Sequence, residues 1–169
     1  MGFSVFPSSS FDDYRSPILR HNTNSSTNIS IPSGVNMAYA LVVNGGAGGQ
    51  GGGHSHGDGA HANTGSEGTQ GQGVFGLTPV STSITVGAAG NGGGGRWAQI
   101  GLPGNAGGIS SYGVLANANN SSTGNYSLSN STRPFGNTSL SGNTGDGGSG
   151  GNANSSGSAG ASGGVAIYY

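Results

Sequence analysis

Asn44–Gly53 reads Asn-Gly-Gly-Ala-Gly-Gly-Gln-Gly-Gly-Gly and follows directly on the apolar run Met37–Val43. In steps of three it gives Gly45, Gly48 and Gly51, then His54 as one miss, then Gly57. The same step returns in Gly65–Gly68–Gly71, Gly87–Gly90–Gly93 and Gly101–Gly104–Gly107, and from Gly142 to Gly163, where Asn154 alone breaks it. An α-helix repeats every 3.6 residues and a strand every two. Three is the repeat of the extended left-handed polyproline II geometry. That conformation bonds none of its own N–H or C=O groups, so a neighbouring segment or water must satisfy them. Glycine at every third position leaves one side of such a rod free of Cβ atoms, and a second rod can then approach to backbone-bonding distance. Collagen uses the same sterics but needs abundant proline, and 6 prolines in 169 residues argue against it. The pattern predicts a bundle of polyglycine II-like rods.

Disorder is the competing reading of any single tract, because glycine and serine without a strict period form flexible linkers. The phase is nevertheless held in five separate tracts interleaved with short apolar runs. That favours order for the whole chain.

Working outward, Ile29-Ser-Ile-Pro-Ser-Gly-Val35 alternates like a half-buried strand and then turns at Pro32-Ser33-Gly34. Ala38–Val43 reads as a more deeply buried strand, Ser83–Val86 alternates, Ile109–Ala116 gives another short strand, and Gly163–Tyr169 supplies a terminal strand that returns to pair with the early ones. The expected class is mainly β and irregular, with short antiparallel strands, glycine-rich rods and little or no α-helix. Residues 29–169 form this domain. Residues 1–28 are read as an N-terminal arm and linker, because Met1–His21 is glycine-poor and carries Phe3, Phe6, Phe11, Tyr14, Ile18 and Leu19. These six are candidates for docking on another protein. Packing on their own domain is the equal alternative.

With 31% hydrophobic and 5% charged residues, a conventional core would be thin, so stability must lean on backbone hydrogen bonds and on contacts with other copies or partners. The formal charge of −1 and the absence of lysine oppose a nucleic-acid binder. Without cysteine, disulfides and thiolate metal sites are excluded. No apolar run reaches the roughly 18 residues of a membrane span, and the N-terminus lacks the basic start and apolar core of a signal peptide.

His54-Ser-His56-Gly-Asp58-Gly-Ala-His61 holds three of the four histidines and a carboxylate. Such side chains can ligate zinc or another transition metal. On a three-residue repeat, however, His54 and His56 project from different sides, and an exposed polar binding loop is the preferred reading. No cofactor is expected. Arg96-Trp97 joins the only tryptophan to a cation, either as a recognition pair or as a plug at the end of the small core. Asn117–Asn143 is a long Asn/Ser/Thr segment with Tyr126, Arg133 and Phe135, a mixture suited to an adaptable binding surface. Candidate receptor contacts are therefore His54, His56, His61, Trp97, Tyr126, Arg133 and Phe135. A metal-dependent hydrolase centred on His54, His56, Asp58 and His61 would also need a complete ligand set and a general base, and the sequence offers neither convincingly. The chain is thus not expected to be an enzyme.

Taken in order, Ile29-Ser-Ile-Pro-Ser-Gly-Val35, Leu41-Val-Val-Asn-Gly-Gly-Ala-Gly-Gly, Ile84-Thr-Val-Gly-Ala-Ala-Gly, Gly108-Ile-Ser-Ser-Tyr-Gly-Val114 and Gly163-Gly-Val-Ala-Ile-Tyr resemble the glycine-rich domain of bacteriophage tail proteins. The chain is also similar to the adhesins that cap long tail fibres of T-even-like phages, although it is short and lacks their large attachment domain. The resemblance implies an extracellular virion protein at a tail or fibre tip. It would attach to other virion proteins through the N-terminal arm and bind a host cell-surface glycan or outer-membrane protein through loops between rods. A homo-oligomer is expected, with a trimer among the candidate states. The alternative is a structural virion component, such as a capsid decoration or fibre-joining protein, without receptor binding.

Overall fold

The fold is described from a computed structural model. It covers residues 17–54, 62–97, 99–116, 140 and 143–169. The described residues form strands, turns and extended segments, with no helix among them.

Eleven strands are formed among the described residues: β1 (Leu19–Thr23), β2 (Thr27–Asn28), β3 (Met37–Val43), β4 (Gly53–His54), β5 (Ala62–Asn63), β6 (Gly73–Pro79), β7 (Ser83–Thr85), β8 (Arg96–Trp97), β9 (Ser111–Tyr112), β10 (Leu115–Ala116) and β11 (Gly164–Tyr168). They make three sheets, ordered β1-β11-β3-β6, β10-β9-β7-β2 and β5-β4-β8. All pairings are antiparallel except that of β4 with β8.

The first sheet is apolar on both faces because β3 and β11 are continuous Val/Ile/Leu/Ala/Tyr runs rather than alternating ones. One face, with Ala38, Ala40, Val42, Val165 and Ile167, packs on Ile84 and Tyr112 of the second sheet. The other gathers Leu41, Val43, Ala166 and Tyr168 with Leu140, flanked by Leu19, Tyr39 and Phe75. Burying each large aliphatic side chain contributes about 1.5–3 kcal/mol. These two clusters are the conventional core.

The remaining stability comes from backbone bonds between six glycine-containing tracts, 44–53, 64–72, 87–96, 101–109, 145–152 and 155–163, numbered first to sixth below. Nine successive amides of the first tract donate in strict rotation to three neighbours. Asn44, Ala47 and Gln50 reach the second tract at Gln72, Thr69 and Ser66; Gly45, Gly48 and Gly51 reach the fourth at Gly108, Asn105 and Leu102; Gly46, Gly49 and Gly52 reach the sixth at Ala161, Ser158 and Ser155, all at 2.8–2.9 Å. In return, Gly90, Gly93 and Arg96 of the third tract donate to the carbonyls of Gly46, Gly49 and Gly52, and Gly148 and Gly151 of the fifth donate to Ala47 and Gln50. The first tract is thus bonded to all five others.

This placement explains the glycine spacing. In the first tract two positions of every three are glycine, and all six of Gly45, Gly46, Gly48, Gly49, Gly51 and Gly52 are buried. A Cβ on any of them would run into the backbone of the third or fifth tract. The second tract needs glycine only at Gly65, Gly68 and Gly71, where a Cβ would meet the carbonyls of Gln50, Ala47 and Asn44. The non-glycine row Asn44, Ala47 and Gln50 is half-buried. Its Gln50 amide ties two tracts together, donating from Nε2 to Gly101 O at 3.1 Å and accepting at Oε1 from Ser66 N at 3.3 Å.

The first two sheets lie at one end of the tracts, and β4, β5, β8 and the turn 152–155 lie at the other. Both breaks in the triplet phase fall at this far end. His54 ends β4, and Asn154 has a left-handed backbone (φ 60°) beside the Ser155 N to Asn152 O bond of 2.8 Å.

Several strand boundaries differ from the sequence expectation. Ile29 and Ile31 lie beyond β2, and Ile29 N instead donates to Thr82 O. Residues 111–116 form a tight hairpin turning at Gly113 (φ 58°). Leu19, expected among the docking residues, is built into its own domain by the pairing of β1 with β11 and by contact with the second core cluster. Burial alternates along β1, and Leu19 falls on the half-buried side with His21 and Thr23. Ile18 remains exposed. Phe3, Phe6, Phe11 and Tyr14 lie outside the described residues.

Candidate functional site

The far end of the first tract sets the site. Arg96 N donates to Gly52 O at 3.1 Å, carrying the bonding of the third tract one step further, so that β8 runs parallel to β4 with His54 opposite Trp97. Their rings meet edge-on, with centroids 5.0 Å apart and planes at 66°. Aromatic pairs favour this geometry because the positive ring edge faces the negative π cloud. Trp97 nevertheless stays 67% exposed. The sequence left Trp97 between a recognition role and a core plug, and its exposure speaks against the plug.

After β8 come Gln99, whose Oε1 accepts from Arg96 Nη1 at 3.0 Å, and Ile100, which is 73% exposed. The chain then reverses into the fourth tract, where Leu102 N donates to Gly94 O at 2.9 Å. The turn 152–155 adjoins this region, since a Cβ on Gly95 would strike the backbone of Asn154 and Ser155. His54 Nδ1 is buried without a hydrogen-bond partner among the described residues, so the ring is held by its contact with Trp97. The arrangement offers one exposed aromatic platform, one guanidinium and several neutral amides.

The expected contacts divide as follows. His54 and Trp97 are brought together, whereas His56, Asp58 and His61 lie outside the described residues. Among the described residues no group of three metal-ligating side chains occurs. Tyr126, Arg133 and Phe135 also lie outside them. The segment carrying these three leaves from Ala116 in β10 and returns at Leu140 in the core, both at the sheet end and away from Trp97. Gln99 and Ile100 were missed. Their signal is the apolar series Ile100, Pro103, Ala106 and Ile109, all exposed, which follows the three-residue step along the outer side of the fourth tract.

A second feature not foreseen is a polar cleft of about 310 Å³ between the edge strands β1 and β2, lined by Arg20, His21, Thr23, Asn28, Ile29 and Ile84. Arg20 Nε donates to Tyr169 O at 3.2 Å, its guanidinium lies 5.7 Å from the Tyr169 ring centroid, and His21 Nε2 and Tyr169 Oη are 3.1 Å apart. These contacts clamp β1 to the end of β11. Beneath the cleft, burial pushes the Tyr112 phenol above its ordinary pKa, opposed in part by the Ser81 N–H that donates to its oxygen at 3.2 Å.

No protein-family model matches the chain, and no curated protein or solved structure is significantly similar to it.

Proposed function

We propose that the six tracts are polyglycine II rods packed around a central one, and that the protein is a bacteriophage virion component at a tail or fibre tip. Nine consecutive amides serving three neighbours in rotation correspond to 120° per residue, the three-residue turn of that geometry. At about 3.1 Å per residue the rods hold the far end roughly 28 Å from the sheets.

The single observation that carries the functional reading is this separation. Residue 17, where the N-terminal arm joins the described chain, and the cleft of β1 lie at the sheet end, while the His54–Trp97 pair lies at the other. Such polarity suits a protein fixed to other virion parts at one end and binding a host cell-surface receptor at the other. The test is binding of labelled full-length protein to candidate host cells. Saturable, strain-specific binding that falls when Trp97 is replaced by alanine supports the reading, and no binding by a folded protein defeats it.

The structural alternative, a capsid decoration or fibre-joining protein, is favoured by the exposed apolar row Ile100, Pro103, Ala106 and Ile109, which could seat against another virion component. It predicts assembly with virion proteins and no affinity for cells.

A further inference from the structure

Resting on the receptor reading above, we infer that the far-end platform of Trp97, His54, Arg96 and Gln99 takes a carbohydrate, with a pyranose ring stacked on the indole. Four features carry this. The indole is two-thirds exposed although it is the largest apolar side chain present, and His54 meets its ring edge-on without burying it. A pyranose presents a face of C–H bonds made slightly positive by the ring oxygens, which suits the negative face of an indole for the reason that cations do.

The polar groups beside the platform also suit a sugar. Arg96 and Gln99 are bonded to each other through Nη1 and Oε1, so the guanidinium keeps further N–H donors and the Gln99 amide keeps its N–H₂ for a ligand. Guanidinium and amide forks match the paired hydroxyls of a sugar. Asn152 and Asn154 in the adjoining turn add neutral donors and acceptors, both exposed.

Size and charge then separate a glycan from a protein partner. A stable protein interface covers about 800 Å² on each side, far more than a cluster of four side chains presents. Among the described residues of the platform Arg96 is the one charged side chain. Finally, β4 and β8, which carry His54, Arg96 and Trp97, are rooted in the backbone lattice before binding, which lowers the entropy lost by a small ligand's site.

The experiment measures binding of the labelled full-length protein to host cells that have been untreated, oxidised with periodate to cleave vicinal diols, or shaved with protease. In parallel, the emission of the sole tryptophan is titrated with methyl hexopyranosides and purified host lipopolysaccharide. The expected result is loss of cell binding after periodate, survival after protease, a saturable emission change, and at least a roughly tenfold weaker affinity for Trp97→Ala and for Arg96→Ala. Loss after protease with survival after periodate overturns the carbohydrate assignment while leaving the receptor reading standing. Failure to bind untreated cells defeats the receptor reading. The platform is then judged on the titration alone, where a saturable change retains it and a flat response overturns it. Because Trp97 and Arg96 are both exposed, unchanged thermal unfolding of the two variants is expected and separates lost binding from lost fold.

Discussion

Substituting Gly48 by alanine tests the backbone lattice at its centre. The new Cβ would fall 2.6 Å from Gly92 N and nearer still to the carbonyl of Asn91, all of it backbone in the third tract, whereas ordinary contact begins near 3.4 Å. The third tract would have to withdraw by about 1 Å, which strains the Gly90-to-Gly46 and Gly93-to-Gly49 bonds, now 2.9 and 2.8 Å. Overpacking of this kind costs about 1–3 kcal/mol, and two weakened bonds add about 1 kcal/mol each. The expected loss is therefore about 3–5 kcal/mol against a typical total of roughly 5–15 kcal/mol. For a chain of this size that corresponds to a fall of about 6–20 °C in melting temperature. Gly94→Ala is the control, because its Cβ would meet only Leu102 Cδ1 at 3.7 Å. That variant is expected to match the wild type or to gain up to about 1 kcal/mol through a less flexible unfolded chain. Calorimetric unfolding of the three proteins decides the matter. A Gly48→Ala protein within about 0.5 kcal/mol of wild type, or equal losses in both variants, would refute the packing argument.

Three further outcomes follow from other parts of the fold. Ser110 is buried where three tracts meet the sheets, with Oγ donating to Val43 O at 2.6 Å and accepting from Gly87 N at 2.9 Å, so Ser110→Ala should lower stability by about 1–3 kcal/mol in urea unfolding. Tyr112 has its pKa raised in the folded state, mainly by burial. Its contribution is then fully present below the unfolded value near 10 and is lost as pH rises from there through the folded pKa. Tyr112→Phe should flatten that alkaline loss, and an unchanged pH profile of unfolding above pH ~10 would show that another group causes it. The sole tryptophan should emit at solvent-like, red-shifted wavelengths and be readily quenched by acrylamide, as its exposure requires; a blue-shifted, shielded emission would contradict the platform.

By itself the sequence determined the three-residue repeat and the apolar strands β3 and β11, because both rest on local spacing, whereas β1 and β6 were not foreseen. Period three at Gly45, Gly48 and Gly51 specifies a backbone with a side bare of Cβ atoms, and the continuous apolar runs of β3 and β11 specify a sheet buried on both faces. Neither specifies a neighbour. That the first tract is the central one was written in its doubled glycines, but the reading needed the structure, where Gly46, Gly49 and Gly52 bond to carbonyls more than a hundred residues away. The His54–Trp97 pair was half legible. Both residues stood out chemically, yet their contact depends on the parallel register of β4 with β8, which is decided by how the third tract docks on the first. The polar cleft of β1 and the two-ended layout were not legible at all. The cleft arises from how the edges of two sheets meet, and the layout from which ends of the tracts coincide, which a repeat of three residues leaves open because it is the same read in either direction.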